Sequence, residues 1–100
     1  MPGPDSHFAD DVHDVLTHLE RGQVVSYSWV ADEAGHPGAA RAVGTYLREH
    51  PDPPNWWRVV AADGRLVAPS AVEQTRRLRD EGHAVVDGRV RTRPEHPGRG

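Results

Sequence analysis

The stretch HPDPP, residues 50–54, ends whatever helix runs into it. Proline has no amide hydrogen to donate, its ring clashes with the preceding turn, and the residue before each proline is pushed toward extended backbone. Three prolines in five residues therefore divide the chain into an N-terminal part whose apolar pattern is helical and a C-terminal part whose pattern is mixed. The chain has 100 residues, enough for one domain and too few for two separate cores, so both parts are expected to share one.

Before the break, Phe8, Val12, Val15, Leu16 and Leu19 recur at helical spacing, with Asp5 or Ser6 as cap and Gly22 as stop. QVVSY reads as a short extended link. SWVADEA reads as a short helix capped by Ser28 and stopped at Gly35, and GAARAVGTYLRE as a third helix. Two short helices joined by a tight glycine-containing turn suggest a helix-turn-helix. After the break, WWRVVAADGRLV reads as a strand, a turn at Asp63 and Gly64, and a return. Ser70 and Glu73 have capping-box spacing for a helix from Ala71 to Glu81, stopped by Gly82. HAVVDGRVR is a hairpin with Asp87 and Gly88 as its two-residue turn. The expected fold is mainly α with a small β component, a winged helix-turn-helix-like single domain over residues 6–93. Residues 1–5 and 94–100 are expected to be tails.

Composition removes several function classes. The chain has no cysteine, which excludes disulfides, thiolate metal sites and cysteine nucleophiles. No stretch is long and apolar enough for a membrane span, and MPGPDSHFADD lacks the basic start and apolar run of a signal peptide, so a cytoplasmic protein without membrane contact is expected. His13 and His18 are five apart, which does not place two imidazoles on one helix face, and no metal or other cofactor is expected. The net charge of −3 is uneven: residues 1–57 hold three Arg against nine Asp and Glu, and residues 58–100 hold nine Arg against six. The acidic run at Asp10, Asp11 and Asp14 reads as a solvated face.

The third helix has two dissimilar sides. Ala39, Ala40, Val43, Tyr46 and Leu47 can be buried, while Gly38, Arg41, Gly44, Thr45 and Arg48 share the other face. A glycine inside a helix costs about 1 kcal/mol relative to alanine. Gly44 thus serves either close packing within the protein or close approach of another molecule, and the flanking arginines favour a nucleic-acid groove.

These residues carry a resemblance. GQVVSYSWVADEAGHPGAARAVGTYL, WWRVVAADGRL and RLRDEG resemble, in order, the DNA-binding domain of the O6-alkylguanine-DNA alkyltransferases, and more specifically their alkyltransferase-like relatives. The resemblance runs from Phe8 to Val90, and VSY, RAVG and RVV followed by DG are its most specific pieces. It implies that Trp56 stands where the transferases carry their reactive cysteine, as in the alkyltransferase-like proteins, which bind alkylated guanine without removing the alkyl group. It further implies that Tyr27 helps rotate the nucleotide out and lines the lesion pocket, that Arg41 fills the vacated space in the stack, and that Val59 lines the pocket. Glu81 matches a glutamate that supports a histidine beside the cysteine. Here Trp57 replaces that histidine, Asn55 replaces the preceding proline, and the loop over residues 50–55 is shorter. Glu81 is left to pair with Arg58.

The expectation is a non-enzymatic damage sensor that acts as a monomer. It would dock Tyr27, Gly38, Arg41, Gly44, Thr45 and Arg48 on double-stranded DNA through the minor groove and flip O6-alkylguanine into a pocket of Tyr27, Trp56 and Val59. The flagged site would pass to nucleotide excision repair proteins. The alternative is a winged-helix transcription regulator reading the major groove as a dimer, for which Gly38, Gly44 and Thr45 offer few base-reading side chains.

Overall fold

A computed structural model describes residues 5–66 and 71–97. The elements in chain order are helix α1 (Asp5–Thr17), strand β1 (Val25–Ser26), helices α2 (Tyr27–Glu33) and α3 (Ala40–Glu49), a 3-10 turn (Trp56–Arg58), strand β2 (Val59–Val60), helix α4 (Ala71–Asp80), and strands β3 (Val85–Val86) and β4 (Arg89–Val90). The fold is the expected helical domain with a small β component and a β3–β4 wing.

The two halves meet on a parallel strand pair. Val25 lies opposite Val59, and Ser26 opposite Val60. Successive strand residues face opposite sides, and the four valines at 24, 25, 59 and 60 use both. Val25 and Val59 pack with Val12, Leu16, Val30, Val43 and Tyr46 of the three N-terminal helices. Val24 and Val60 pack with Leu66, Leu78, Val85 and Val90 of α4 and the wing. One domain therefore has a core in two parts, set back to back on β1 and β2.

Several boundaries differ from the sequence reading, each for a local reason. α1 stops at Thr17, and Leu19 reaches the core from a turn closed by its amide bonding the Leu16 carbonyl at 3.1 Å. α2 starts at Tyr27 and is capped by Ser26, not Ser28: pairing of β1 holds Ser26 extended, and its Oγ accepts the Trp29 amide at 3.0 Å. The return after the Asp63–Gly64 turn pairs with the wing, Arg65 bridging Arg89, while β2 pairs with β1. The expected C-terminal tail is in part a structural strap. Glu95 bridges Val25 on the free edge of β1, its amide bonding the Val24 carbonyl at 2.9 Å and its carbonyl accepting the Ser26 amide at 2.8 Å. Pro94 is buried, and His96 Nδ1 lies 2.7 Å from Ser26 Oγ. The wing follows its sequence signal: Asp87 and Gly88 both have positive φ, 53° and 73°, as a two-residue hairpin turn requires. The side chains of Asp5 and Ser6, and residues 67–70, lie outside the described residues, and with them the cap expected for α1 and the Ser70 half of the capping box.

The turn between α2 and α3 is fixed to α1. His36 Nε2 lies 2.8 Å from Asp11 Oδ2, and the His36 ring meets Phe8 edge-on at 5.0 Å. This clamp sets the angle at which α3 is presented.

Candidate nucleic-acid interface

α3 buries Val43 and Tyr46 and exposes Arg41 and Arg48. Arg48 reaches back along the helix, its Nη2 donating to Thr45 Oγ1 at 3.2 Å. The two glycines of this face have different causes. Gly38 has φ +87°, a turn conformation that by itself accounts for glycine. Gly44 is helical, and a Cβ built there would meet only Arg48 Nη1, at an ordinary 3.6 Å. Packing among the described residues therefore does not require Gly44.

Beside this face opens a cavity of about 720 Å³, within the range of ligand sites. Tyr27, at the start of α2, forms one side. Arg41, Gly44, Leu47 and Arg48 come from α3, and His50, Asp52 and Pro53 from the proline loop. Trp56 and Val59 line it too, as do Glu73 and Arg77 of α4, which packs against the Trp56–Arg58 turn. Of the residues singled out from the sequence, Tyr27, Arg41, Gly44, Arg48, Trp56 and Val59 converge here, and Gly38 and Thr45 stay outside the lining. The sequence pattern marks Leu47 only as core and Pro53 only as a helix breaker. Glu73 and Arg77 carried a weak signal: their i, i+4 spacing puts them on one face of α4. Burial raises the Tyr27 hydroxyl above its ordinary pKa, partly offset by the Arg48 charge, so the phenol stays neutral.

The pocket wall is held from behind by a buried charge hub. Asn55 adopts the left-handed conformation, φ 54° and ψ 26°, which asparagine tolerates and proline cannot reach. Its Nδ2 donates to the carbonyls of Leu16 at 2.7 Å and Leu19 at 3.3 Å, and its Oδ1 accepts from Arg58 Nη1 at 2.8 Å. Arg58 forms a two-pronged pair with Glu81, Nε to Oε1 at 3.1 Å and Nη2 to Oε2 at 2.7 Å. The two side chains are 9% and 4% exposed. Glu81 also accepts the Gly22 amide at 2.7 Å and the Trp57 indole N–H at 2.8 Å. Burial pushes its pKa up, but Arg58, Gly22 and Trp57 outweigh that and hold it at about 2. Gln74, fully buried, donates to the carbonyls of Trp57 at 3.1 Å and Val59 at 3.0 Å, which fixes the backbone behind the cavity.

Trp57 is half-buried against the wing-side core. Its ring meets Trp56 edge-on, centroids 6.2 Å apart at 89°, and lies near both the Arg58 and Arg77 guanidinium groups, at 4.9 and 4.5 Å. The cavity lining combines the apolar and aromatic side chains of Leu47, Trp56 and Val59 with the cations Arg41, Arg48 and Arg77, an arrangement suited to a flat aromatic group attached to a polyanion.

Residues 7–83 match the family described as 6-O-methylguanine DNA methyltransferase, DNA binding domain. A relative from Vibrio parahaemolyticus serotype O3:K6 (strain AQ3810), named DNA base-flipping protein, is 33% identical over 61 residues. That alignment covers 59% of this chain, and the chain spans 61% of that relative. Among solved structures, S. pombe Atl1 in complex with damaged DNA containing O6-carboxymethylguanine is similar with a TM-score of 0.74 at 27% identity, over 86% of this chain and 83% of that one. The Mycobacterium tuberculosis O6-methylguanine methyltransferase is similar with a TM-score of 0.67 at 32% identity, over 80% of this chain and 50% of the other. With a match over most of its length, the chain belongs to the family of the 6-O-methylguanine DNA methyltransferase DNA-binding domain.

Proposed function

We propose that the protein is a non-enzymatic sensor that binds O6-alkylguanine in duplex DNA, flips it into the cavity beside α3 and flags it for repair. The observation that carries this reading is the convergence of Tyr27, Arg41, Trp56 and Val59 on one open cavity next to a glycine-bearing cationic helix face. The smooth α3 face enters the minor groove, Arg41 takes the place of the extruded base, and the base rests against Trp56. Extrusion costs a few kcal/mol, less for a damaged pair. Stacking on an aromatic returns about 1–3 kcal/mol per base, so the Trp56 wall brings the two into balance. Alkyl transfer at neutral pH needs a soft thiolate, and the sequence contains no thiol. The Atl1 complex with damaged DNA and the base-flipping relative support the same reading. On it, a single copy acts in the cytoplasm and hands the site to nucleotide excision repair proteins.

The test titrates matched duplexes, with and without O6-methylguanine, while following tryptophan fluorescence. Lesion duplex should bind more tightly, and with three or four phosphate contacts log K should fall against log salt with a slope of about −3 to −4. Equal affinity for both duplexes sinks the reading.

A further inference from the structure

We infer that Arg77 makes the cavity selective for O6 substituents that carry a negative charge, an inference that rests on the lesion-sensor reading above. Arg77 is the one cation that α4 contributes to the lining, and the contacts that hold it lie outside α3. One edge of its guanidinium is fixed by Glu73, Nε to Oε2 at 2.8 Å. One face is fixed by Trp57, 4.5 Å from the ring centroid. Trp57 is in turn fixed by its N–H on Glu81, so Arg77 is tied to the buried Arg58–Glu81 pair. A planar guanidinium held on one edge and one face loses little freedom when it bonds a ligand. Five donors are built into the group, and the Glu73 contact uses one of them.

Position and charge point the same way. Trp56 and Arg77 line the same cavity, Trp57 meets Trp56 edge-on, and Arg77 lies on the Trp57 face. On the proposed reading, a substituent on a base stacked against Trp56 shares the cavity with Arg77. The charged lining comprises Arg41, Arg48 and Arg77 against Asp52 and Glu73. Glu73 is shared with Arg76, whose Nε donates to Oε1 at 3.1 Å, so it neutralises Arg77 only in part. Arg77 is 37% exposed, so it can be reached from the cavity, and solvent screens its contacts in part. A carboxylate on the alkyl group would meet a preorganised, incompletely neutralised partner, whereas a neutral group of the same shape would not.

The experiment compares three duplexes that differ at one base: guanine, O6-carboxymethylguanine and O6-carbamoylmethylguanine, the last a neutral amide of nearly the same shape. The full chain should bind the carboxylate about fivefold more tightly than the amide, the upper end for a partly exposed ion pair. Arg77→Gln should bring the ratio to about one, whatever it does to overall DNA affinity, because the ratio compares two lesions in the same duplex. Glu73→Gln should raise the ratio above that of the parent, a gain that loss of structure cannot mimic. A parent that prefers both lesions to guanine but does not separate them overturns the inference alone, as does Arg77→Gln with an unchanged ratio or Glu73→Gln with a lowered one. A parent that binds all three duplexes equally overturns the sensor reading, and this inference with it.

Discussion

Replacing Glu81 with glutamine should remove about 3 kcal/mol of stability at pH 7. The variant keeps an acceptor for the Gly22 amide or the Trp57 indole but loses the charge that Arg58 faces. Removing one partner from a buried ion pair leaves the other charge uncompensated, at a typical cost of about 3–5 kcal/mol. Proton linkage gives a second route to the size. Glu81 moves from 4.5 to about 2 on folding, a depression worth about 3 kcal/mol. Because the folded value is the lower one, this stability is fully present above about pH 4.5 and is lost as pH falls toward 2. The parent should therefore lose stability over that window, and Glu81→Gln should lose about 3 kcal/mol less. Other carboxylates titrate in both proteins, so the difference isolates Glu81. Urea denaturation followed by circular dichroism at pH 7, 5 and 2 measures it, and at this size the melting temperature of the variant at pH 7 should drop by roughly 12–24 °C. A variant within 1 kcal/mol of the parent at pH 7, or parallel pH profiles, would refute the hub as the element that holds the pocket wall.

Four further outcomes follow from the geometry. Gly44→Ala should stabilise the fold by up to about 1 kcal/mol while weakening DNA binding, checked by melting and duplex titration; unchanged binding would remove close approach as the reason for glycine. Arg41→Ala and Tyr27→Ala should each weaken lesion binding, with circular dichroism unchanged for the exposed Arg41, and parent-like binding by both would dismiss their proposed roles. Asn55→Pro should cost about 2–3 kcal/mol in urea denaturation, since proline cannot adopt a φ of 54° and the bonds to Leu16 and Leu19 are lost; parent-like stability would contradict that conformation. Trp56→Cys should transfer little methyl from labelled O6-methylguanine DNA, an unassisted thiol having a pKa near 8.5, whereas Trp56→Cys with Trp57→His should transfer measurably; equal rates would mean that residue 57 plays no part in the missing chemistry.

Legibility in the sequence followed the range of the interaction. The wing was readable because a two-residue turn states its requirement in two adjacent residues, Asp87 and Gly88. The α3 face was readable because helical spacing is local. The parallel pairing of Val25 with Val59 was not, since neither segment carries a mark of its distant partner. That one pairing also decided the cap: with Ser26 and Ser28 both available, the strand held Ser26 extended and the helix began one residue later. The strap at Glu95 was hidden for the same reason, because a Pro- and Gly-rich stretch looks frayed until the free edge of β1 is there to bond it. Within the site, Tyr27, Arg41, Trp56 and Val59 came from matched motifs. Glu73 and Arg77 belong to no motif and join the lining only because α4 packs against the Trp56–Arg58 turn.

The paired tryptophans divide the work between them. Trp56 faces the cavity. Trp57 takes the place that the family resemblance gives to a histidine, and its indole N–H makes a bond to Glu81 that an imidazole could also make. The difference lies in what the bond can do. An imidazole can accept a proton and carry charge to the carboxylate, while indole only donates. Glu81 is meanwhile committed to Arg58 by two bonds and to the Gly22 amide by a third. A carboxylate so held at a pKa of about 2 is a fixed negative charge matched by a fixed positive one. On the proposed reading, the residues that would assist a nucleophile have become a rigid backing for an aromatic wall, and rigidity is what a site gains from when it must hold a flipped base without reacting with it.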